Sequence, residues 1–160
     1  MATDKHQAVI DYLLNCPNIL NSPLYFNFIN VEDDTNQFLT VSNDNYTNVH
    51  YIDGSIGKRY TFTITTFKSV NDIAVVKLPD YPNENMADLS AIQTLIDWVK
   101  EQNENLNFPD FGEDCIVESI MPTTDEPTFD GIDEQTEPNL AVYSTTIQVE
   151  YIDISKRLWR

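Results

Sequence analysis

The chain has little of what usually announces chemistry. Its 160 residues include two histidines and two cysteines. His6 stands at the start of a helical pattern and is expected to be solvated; His50 alternates with Val49 and Tyr51 and is expected at a strand surface. Cys16 and Cys115 lie far apart, with no Cys-x-x-Cys or Cys/His spacing to suggest zinc. Residues 1–6 form neither a basic nor an apolar leader. The thiols are therefore read as reduced and buried, with one long-range disulfide as the alternative. No apolar run approaches the ~18–20 residues of a membrane span. A Gly-x-Ser-x-Gly elbow, a phosphate-binding glycine loop and a His-Glu-x-x-His helix are all missing. Neither catalysis nor a cofactor is expected.

Positive charge is scarce as well. Nine Lys and Arg against 26 Asp and Glu leave a net charge of −17. That balance disfavours binding to nucleic-acid phosphates and to anionic membranes, both of which need clustered bases. The charge is also uneven. Acids crowd residues 80–150, where Lys100 is the only base, whereas bases gather at Lys58, Arg59, Lys68 and Lys77 and at Lys156, Arg157 and Arg160. One reading is a solvated acidic surface that keeps the chain soluble. The other is an acidic face on one copy meeting a basic edge on the next.

Acidic residues also mimic a metal loop. Glu126 to Glu137 carries glycine at the sixth place, Gly131, and glutamate at the twelfth. The first position is Glu, the third is Thr128, and Pro127 and Pro138 forbid the flanking helices, so no metal site is expected. Asn45-Tyr46-Thr47 matches a glycosylation sequon, which carries no weight without secretion.

Periodicity supplies the positive content. With 41% hydrophobic and 11% aromatic residues, the chain can build a core, and its length suits one domain over 1–160. Asp4 caps a first helix of about twelve residues, Gln7 reaches back in a capping box, Val9, Ile10, Leu13 and Leu14 form its apolar face, and Pro17 ends it. Residues 24–31 read as a strand, 32–36 as a turn and 37–41 as its antiparallel return. Residues 42–48 read as a loop, 49–52 as a short strand, and Asp53-Gly54-Ser55-Ile56-Gly57 as a turn. Through 58–67, Tyr60, Phe62, Ile64 and Thr66 alternate with Arg59, Thr61, Thr63 and Thr65, a period of two.

The stretch 70–85 gives no clear pattern, broken by Pro79 and Pro82. A second helix starts near Asn85, with Met86, Leu89, Ile92, Leu95, Ile96 and Val99 as its stripe and Trp98 at the flank of the core. Residues 115–121 form a strand, and 122–138 a flexible acidic loop. A last strand over 140–154 puts Tyr143, Ile147, Val149 and Tyr151 on one side. No internal repeat is evident. The order predicts an α+β fold: a mostly antiparallel sheet of about 4–6 strands with both helices on one face. Thr61, Thr63, Thr65, Thr145 and Thr40 are expected on the other face, open to solvent or covered by a second subunit.

A family resemblance runs through these parts. The Tyr51-Ile52-Asp53-Gly54-Ser55 turn leads into an aromatic strand with a basic start. The helix closes on Ile96-Asp97-Trp98-Val99-Lys100-Glu101-Gln102-Asn103, then come the Pro109-Asp110-Phe111-Gly112 loop and a closing strand near residues 143–151. In that order the chain resembles the small minor capsid and tail-completion proteins of long-tailed bacteriophages, the tail terminator group. The resemblance runs from about the first helix to residue 153; the inserts at 70–84 and 123–138 are longer than that pattern needs. It implies a non-enzymatic virion protein, a homohexameric ring where the tail tube meets the head connector. Such a ring stops tube growth and offers a head–tail joining surface.

Expected partners are then further copies, the tail tube protein and the connector proteins, with no direct nucleic-acid or membrane binding. The expected location is the virion tail, and the host cytoplasm during assembly. A ring closed head to tail needs two complementary, unlike surfaces on each subunit. The expected interface set is Lys58, Arg59, Lys68, Lys156, Arg157 and Arg160, facing acids on the next copy. The alternative is an acidic decoy, whose carboxylates mimic DNA phosphates and occupy a DNA-binding protein.

Overall fold

The structure is a computed structural model that describes residues 4–16, 24–26, 35–42, 48–69, 84–133 and 140–158. Among these, the elements run α1 (Lys5–Leu13), β1 (Leu24–Phe26), β2 (Thr35–Ser42), β3 (Val49–His50), β4 (Ile56–Ser69), α2 (Glu84–Glu104), β5 (Cys115–Pro122), β6 (Thr128–Asp133) and β7 (Leu140–Asp153). The expected α+β fold is present. Strands β4 and β7, each 14 residues long, pair antiparallel along their whole length, from Ile56↔Asp153 to Ser69↔Leu140. This ribbon is the spine of a seven-stranded sheet with the path β1-β2-β4-β7-β5. The outer edge of β4 is shared end to end by β3 and β2, and that of β7 by β5 and β6.

Period two explains the two faces. Tyr60, Phe62 and Ile64 of β4 point with Ile147, Val149 and Tyr151 of β7 into one core, joined by Ile120 of β5. Both helices close this face. From α1 come Val9, Tyr12 and Leu13, with Cys16 just beyond; from α2 come Leu95 and Val99. Ile92 and Ile96 of α2 meet Tyr143 farther along the ribbon. Phe62, Leu13, Ile64, Ile96, Ile120 and Ile147 are all less than 2% exposed or close to it. Each contributes roughly 1.5–3 kcal/mol by leaving water. The Pro109-Asp110-Phe111-Gly112 loop adds a plug. Phe111 stands edge-on to Tyr60 and Tyr151, with ring centroids 5.8 and 5.2 Å away. Asp110 Oδ1 accepts from the Gly112 amide at 2.9 Å, and Gly112 has φ 94°, so the turn that aims Phe111 inward needs glycine.

The helix ends follow local rules, with two departures. Asp4 caps α1, accepting from the amides of His6 and Gln7. The Gln7 side chain does not reach back: its Nε2 donates to Asp11 Oδ1 at 2.8 Å, one turn forward. The buried stripe of this nine-residue helix is Val9, Tyr12, Leu13, while Leu14, expected in the core, is 43% exposed. Pro17 lies outside the described residues. Helix α2 begins one residue before Asn85 and ends where the Asn107 amide bonds back to the Gln102 carbonyl at 2.9 Å, with Leu106 at φ 56°. That six-to-one closure places a left-handed residue at the helix end, where glycine is the usual choice.

Three strand expectations are corrected. β1 pairs with β2 in parallel, Leu24↔Gln37 to Phe26↔Leu39; the antiparallel partner of β2 is β4. A β2 laid against β4 pairs over all eight of its residues, which a short β1 cannot offer. Thr128–Asp133 is not loop: it forms β6 on the half of β7 that β5 leaves open, with a bulge between Phe129 and Gly131 where Gly131 has φ 109°. The link before it is held to α2, since Gln93 Nε2 and Lys100 Nζ both bond to Asp125. The expected readings for 27–34, 43–47, 70–83 and 134–139 lie outside the described residues.

Thr145 is the third correction. It stands opposite Ile64 and is 1% exposed, on the helix face rather than among the other threonines. The far face carries Thr61, Thr63, Thr65 and Thr146, with Thr40 opposite Thr63. Thr61 and Thr65 are buried there, and the hydroxyls of Thr63 and Thr146 lie 2.9 Å apart.

Candidate assembly surface

One end of the β4–β7 ribbon is built from a sequence pattern that occurs twice. Tyr51-Ile52-Asp53-Gly54-Ser55 leads into β4, and Tyr151-Ile152-Asp153-Ile154-Ser155 leads out of β7. Each aspartate makes the same turn. Asp53 Oδ1 accepts from the Ser55 amide and hydroxyl at 2.9 and 2.5 Å; Asp153 Oδ1 accepts from the Ser155 amide and hydroxyl at 3.0 and 2.6 Å. A short polar side chain that bonds its own backbone two residues on makes a stiff turn. The other oxygen of each carboxylate then ties to the opposite turn. Asp53 Oδ2 takes Arg157 Nε at 2.9 Å, just past the second motif, and Asp153 Oδ2 takes Lys58 Nζ at 3.0 Å, just past the first. The two turns are cross-braced.

Their acidities reflect this. The Ser55 hydroxyl and amide, and then Arg157, hold the Asp53 carboxyl below the usual carboxylate range. The Ser155 hydroxyl, its amide and Lys58 hold Asp153 well below it. Backbone bonds complete the brace: Leu158 donates its amide to the Asp53 carbonyl at 2.6 Å, and Ile154 to Asp114 at 2.8 Å. Gly54 is required, because φ is +89° and a Cβ there would run into the Lys156 carbonyl.

This braced end exposes apolar side chains. Ile52 is 95% and Leu158 72% exposed, and they flank the same aspartate. Val49 and Tyr51 are half-exposed beside them, and Lys156 is exposed. A rigid turn that displays large apolar groups resembles a contact surface more than a solvated loop.

The six expected interface bases divide. Lys58, Arg59 and Arg157 pair within the chain, with Asp153, Glu150 and Asp53 respectively. Lys68 lies on β4 between Thr35 of β2 and Ala141 of β7. Lys156 sits on the exposed end, and Arg160, like Trp159, lies outside the described residues. Ile52 and Leu158 were not signalled by charge or periodicity; the doubled Tyr-Ile-Asp-x-Ser pattern is the signal that leads to them.

The groups considered for chemistry stay apart. His50 is exposed in β3. His6 is exposed too, yet not merely solvated: its Nδ1 lies 2.5 Å from the Tyr60 hydroxyl. Burial, with the Asp4 charge, pushes Tyr60 well above the usual phenol range. Cys16 is a buried thiol pushed up to about 11 by burial, and Cys115 is a half-buried thiol. Trp98 flanks the core against Tyr12, centroids 5.1 Å apart. Among the described residues no three His, Cys, Asp or Glu could share a metal ion, and no helix is long and apolar enough to cross a membrane. No protein-family model and no curated protein matches the chain.

Proposed function

We propose that this chain is a non-enzymatic virion assembly protein of the tail terminator or head–tail completion type, working as a ring of identical subunits. The observation that carries the proposal is the braced ribbon end: Ile52 and Leu158, both largely exposed, are held in place by two interlocked aspartate turns. The same Tyr-Ile-Asp-Gly-Ser turn opens the resemblance to that family. An apolar end that carries the exposed Lys156, on a chain of net charge −17, would supply the two unlike surfaces that a head-to-tail ring requires. Acids left outside the contacts would face the channel, where they repel passing DNA and keep it from sticking. Tail tube and connector proteins are the expected neighbours, in the virion and, before that, in the host cytoplasm. The decoy alternative rests on charge alone and gives Ile52 and Leu158 no role.

Light scattering and negative-stain images provide the test. The expected result is a closed multimer that the double variant Ile52→Asp, Leu158→Asp converts to monomers with an unchanged circular dichroism spectrum. A monomer at high concentration in both low and high salt overturns the proposal.

A further inference from the structure

A cleft of about 470 Å³ opens between α1 and the segment that follows α2. That volume falls within the range, roughly 300–1,000 Å³, of sites that hold small groups. Its wall is apolar and aromatic: Tyr12, Trp98, Phe108 and Pro109. The wall is also fixed. Tyr12 and Trp98 pack at 5.1 Å between centroids, the Tyr12 hydroxyl donates to the Asn107 carbonyl at 3.0 Å, and Pro109 is buried.

The rim of this cleft is acidic. Asp4, Asp11 and Asp110 line it, all exposed. Each uses Oδ1 for a bond within the chain: Asp4 to the amides of His6 and Gln7, Asp11 to Gln7 Nε2, and Asp110 to the Gly112 amide. Oδ2 of each has no hydrogen bond among the described residues. Among the described residues no base lines the cleft; Lys5, next to Asp4 in sequence, lies over the Tyr151 ring at 5.5 Å, and Lys100 is held by Asp125. An aromatic wall with carboxylates around it complements one chemistry best, a guanidinium that stacks on a ring and gives its N–H groups to the acids.

We infer that this cleft docks an arginine-bearing extended segment of a partner protein. The volume of the cleft has room for an arginine side chain and part of its neighbours, and a lone ammonium would leave it unfilled. Leu106, 73% exposed and held at φ 56°, stands at the edge of the same segment, next to Asn107, and offers the partner an apolar contact. The inference is independent of ring formation, since none of these residues belongs to the braced ribbon end.

The test uses the full chain carrying Trp159→Phe, so that emission reports Trp98 alone. The probe is an acetylated, amidated hexapeptide with two arginines, compared with the same peptide carrying citrulline. Expected is a saturable change in Trp98 emission, about tenfold weaker binding of the citrulline peptide, and about tenfold weaker binding to Asp11→Asn, Asp110→Asn. Asparagine keeps the Oδ1 acceptor that Gln7 and Gly112 use, so the fold is preserved, which circular dichroism checks. Glu118→Gln, Glu126→Gln removes the same charge from exposed positions elsewhere and is expected to bind within about twofold of the parent. No Trp98 response, equal binding of citrulline, or equal weakening in the control variant overturns the inference. So does spermidine binding as tightly as the peptide with the same dependence on Asp11 and Asp110.

Discussion

The two faces of the β4–β7 ribbon use similar residues to opposite effect. On the helix face, Thr145 is 1% exposed and its hydroxyl has no hydrogen-bond partner among the described residues. On the far face, the Thr63 and Thr146 hydroxyls bond to each other across the strands. Each face also carries an ion pair. Lys58–Asp153 is diagonal, at the rim of the core, and its aspartate is further bonded by Ser155; Arg59–Glu150 stands directly across the strands, with Glu150 45% exposed. The lesson is that a polar group in this sheet counts for what surrounds it. A hydroxyl among Ile64 and Ile147 costs stability, and the same hydroxyl among its own kind does not.

Substitutions that cross the comparison sharpen it. Phe62→Ala, at the centre of the helix face, is expected to cost about 3–5 kcal/mol in urea unfolding, whereas Thr63→Ala, its neighbour on the other face, costs within about 1 kcal/mol. Comparable losses would mean that the far face is packed as tightly as the core.

Next in size is Asp153→Asn, expected to lose roughly 1.5–3 kcal/mol near neutral pH, because the charge that strengthens the hydrogen bonds from Ser155 and Lys58 goes with it. Asp153 titrates lower in the folded chain than in the unfolded one, so its contribution is complete above the unfolded value of about 4. It is lost as pH falls through the folded value. The parent and Asp153→Asn stabilities should therefore differ fully at pH 7 and converge only below about pH 4. A constant difference across that window would remove the carboxylate charge as the cause.

Thr145→Val keeps the shape and removes the orphan hydroxyl; thermal unfolding should show a gain of about 1 kcal/mol. Thr146→Val should instead lose up to about 1 kcal/mol, since it strands the Thr63 hydroxyl. The smallest effect is expected from Glu150→Gln, under about 1 kcal/mol and fading with salt, as for other half-exposed pairs. A larger loss there than in Asp153→Asn would reverse the ranking of the two faces.

Much of this architecture is legible along the chain. Asp4 as a cap, the alternation through β4, the Ile92, Leu95, Ile96, Val99 stripe of α2 and the strands β5 and β7 all depend on neighbours within a few residues. Parity alone puts Thr145 between Tyr143 and Ile147 on the core side; its hydroxyl is what suggests the opposite face. The direction of β1 and the capture of β6 by β7 could not be read this way, because each depends on which distant edge is vacant. Of the candidate surface, the Asp53 turn and the bases were visible. Their partners were not, because Lys58 meets Asp153, and Asp53 meets Arg157, only once the start of β4 and the end of β7 have been brought side by side.

By itself, the order of residues determined where helices and strands form, which side of each is apolar, and that the chain carries a large negative charge. Those properties are local or additive, so they survive without knowledge of the fold. Tertiary structure alone decided which carboxylates are neutralised, which hydroxyl is stranded, and that two copies of a five-residue turn brace each other at one end. Pairing of β4 with β7 brings these groups within bonding distance, and electrostatic and hydrogen-bond energies depend on that distance and on the water excluded around it.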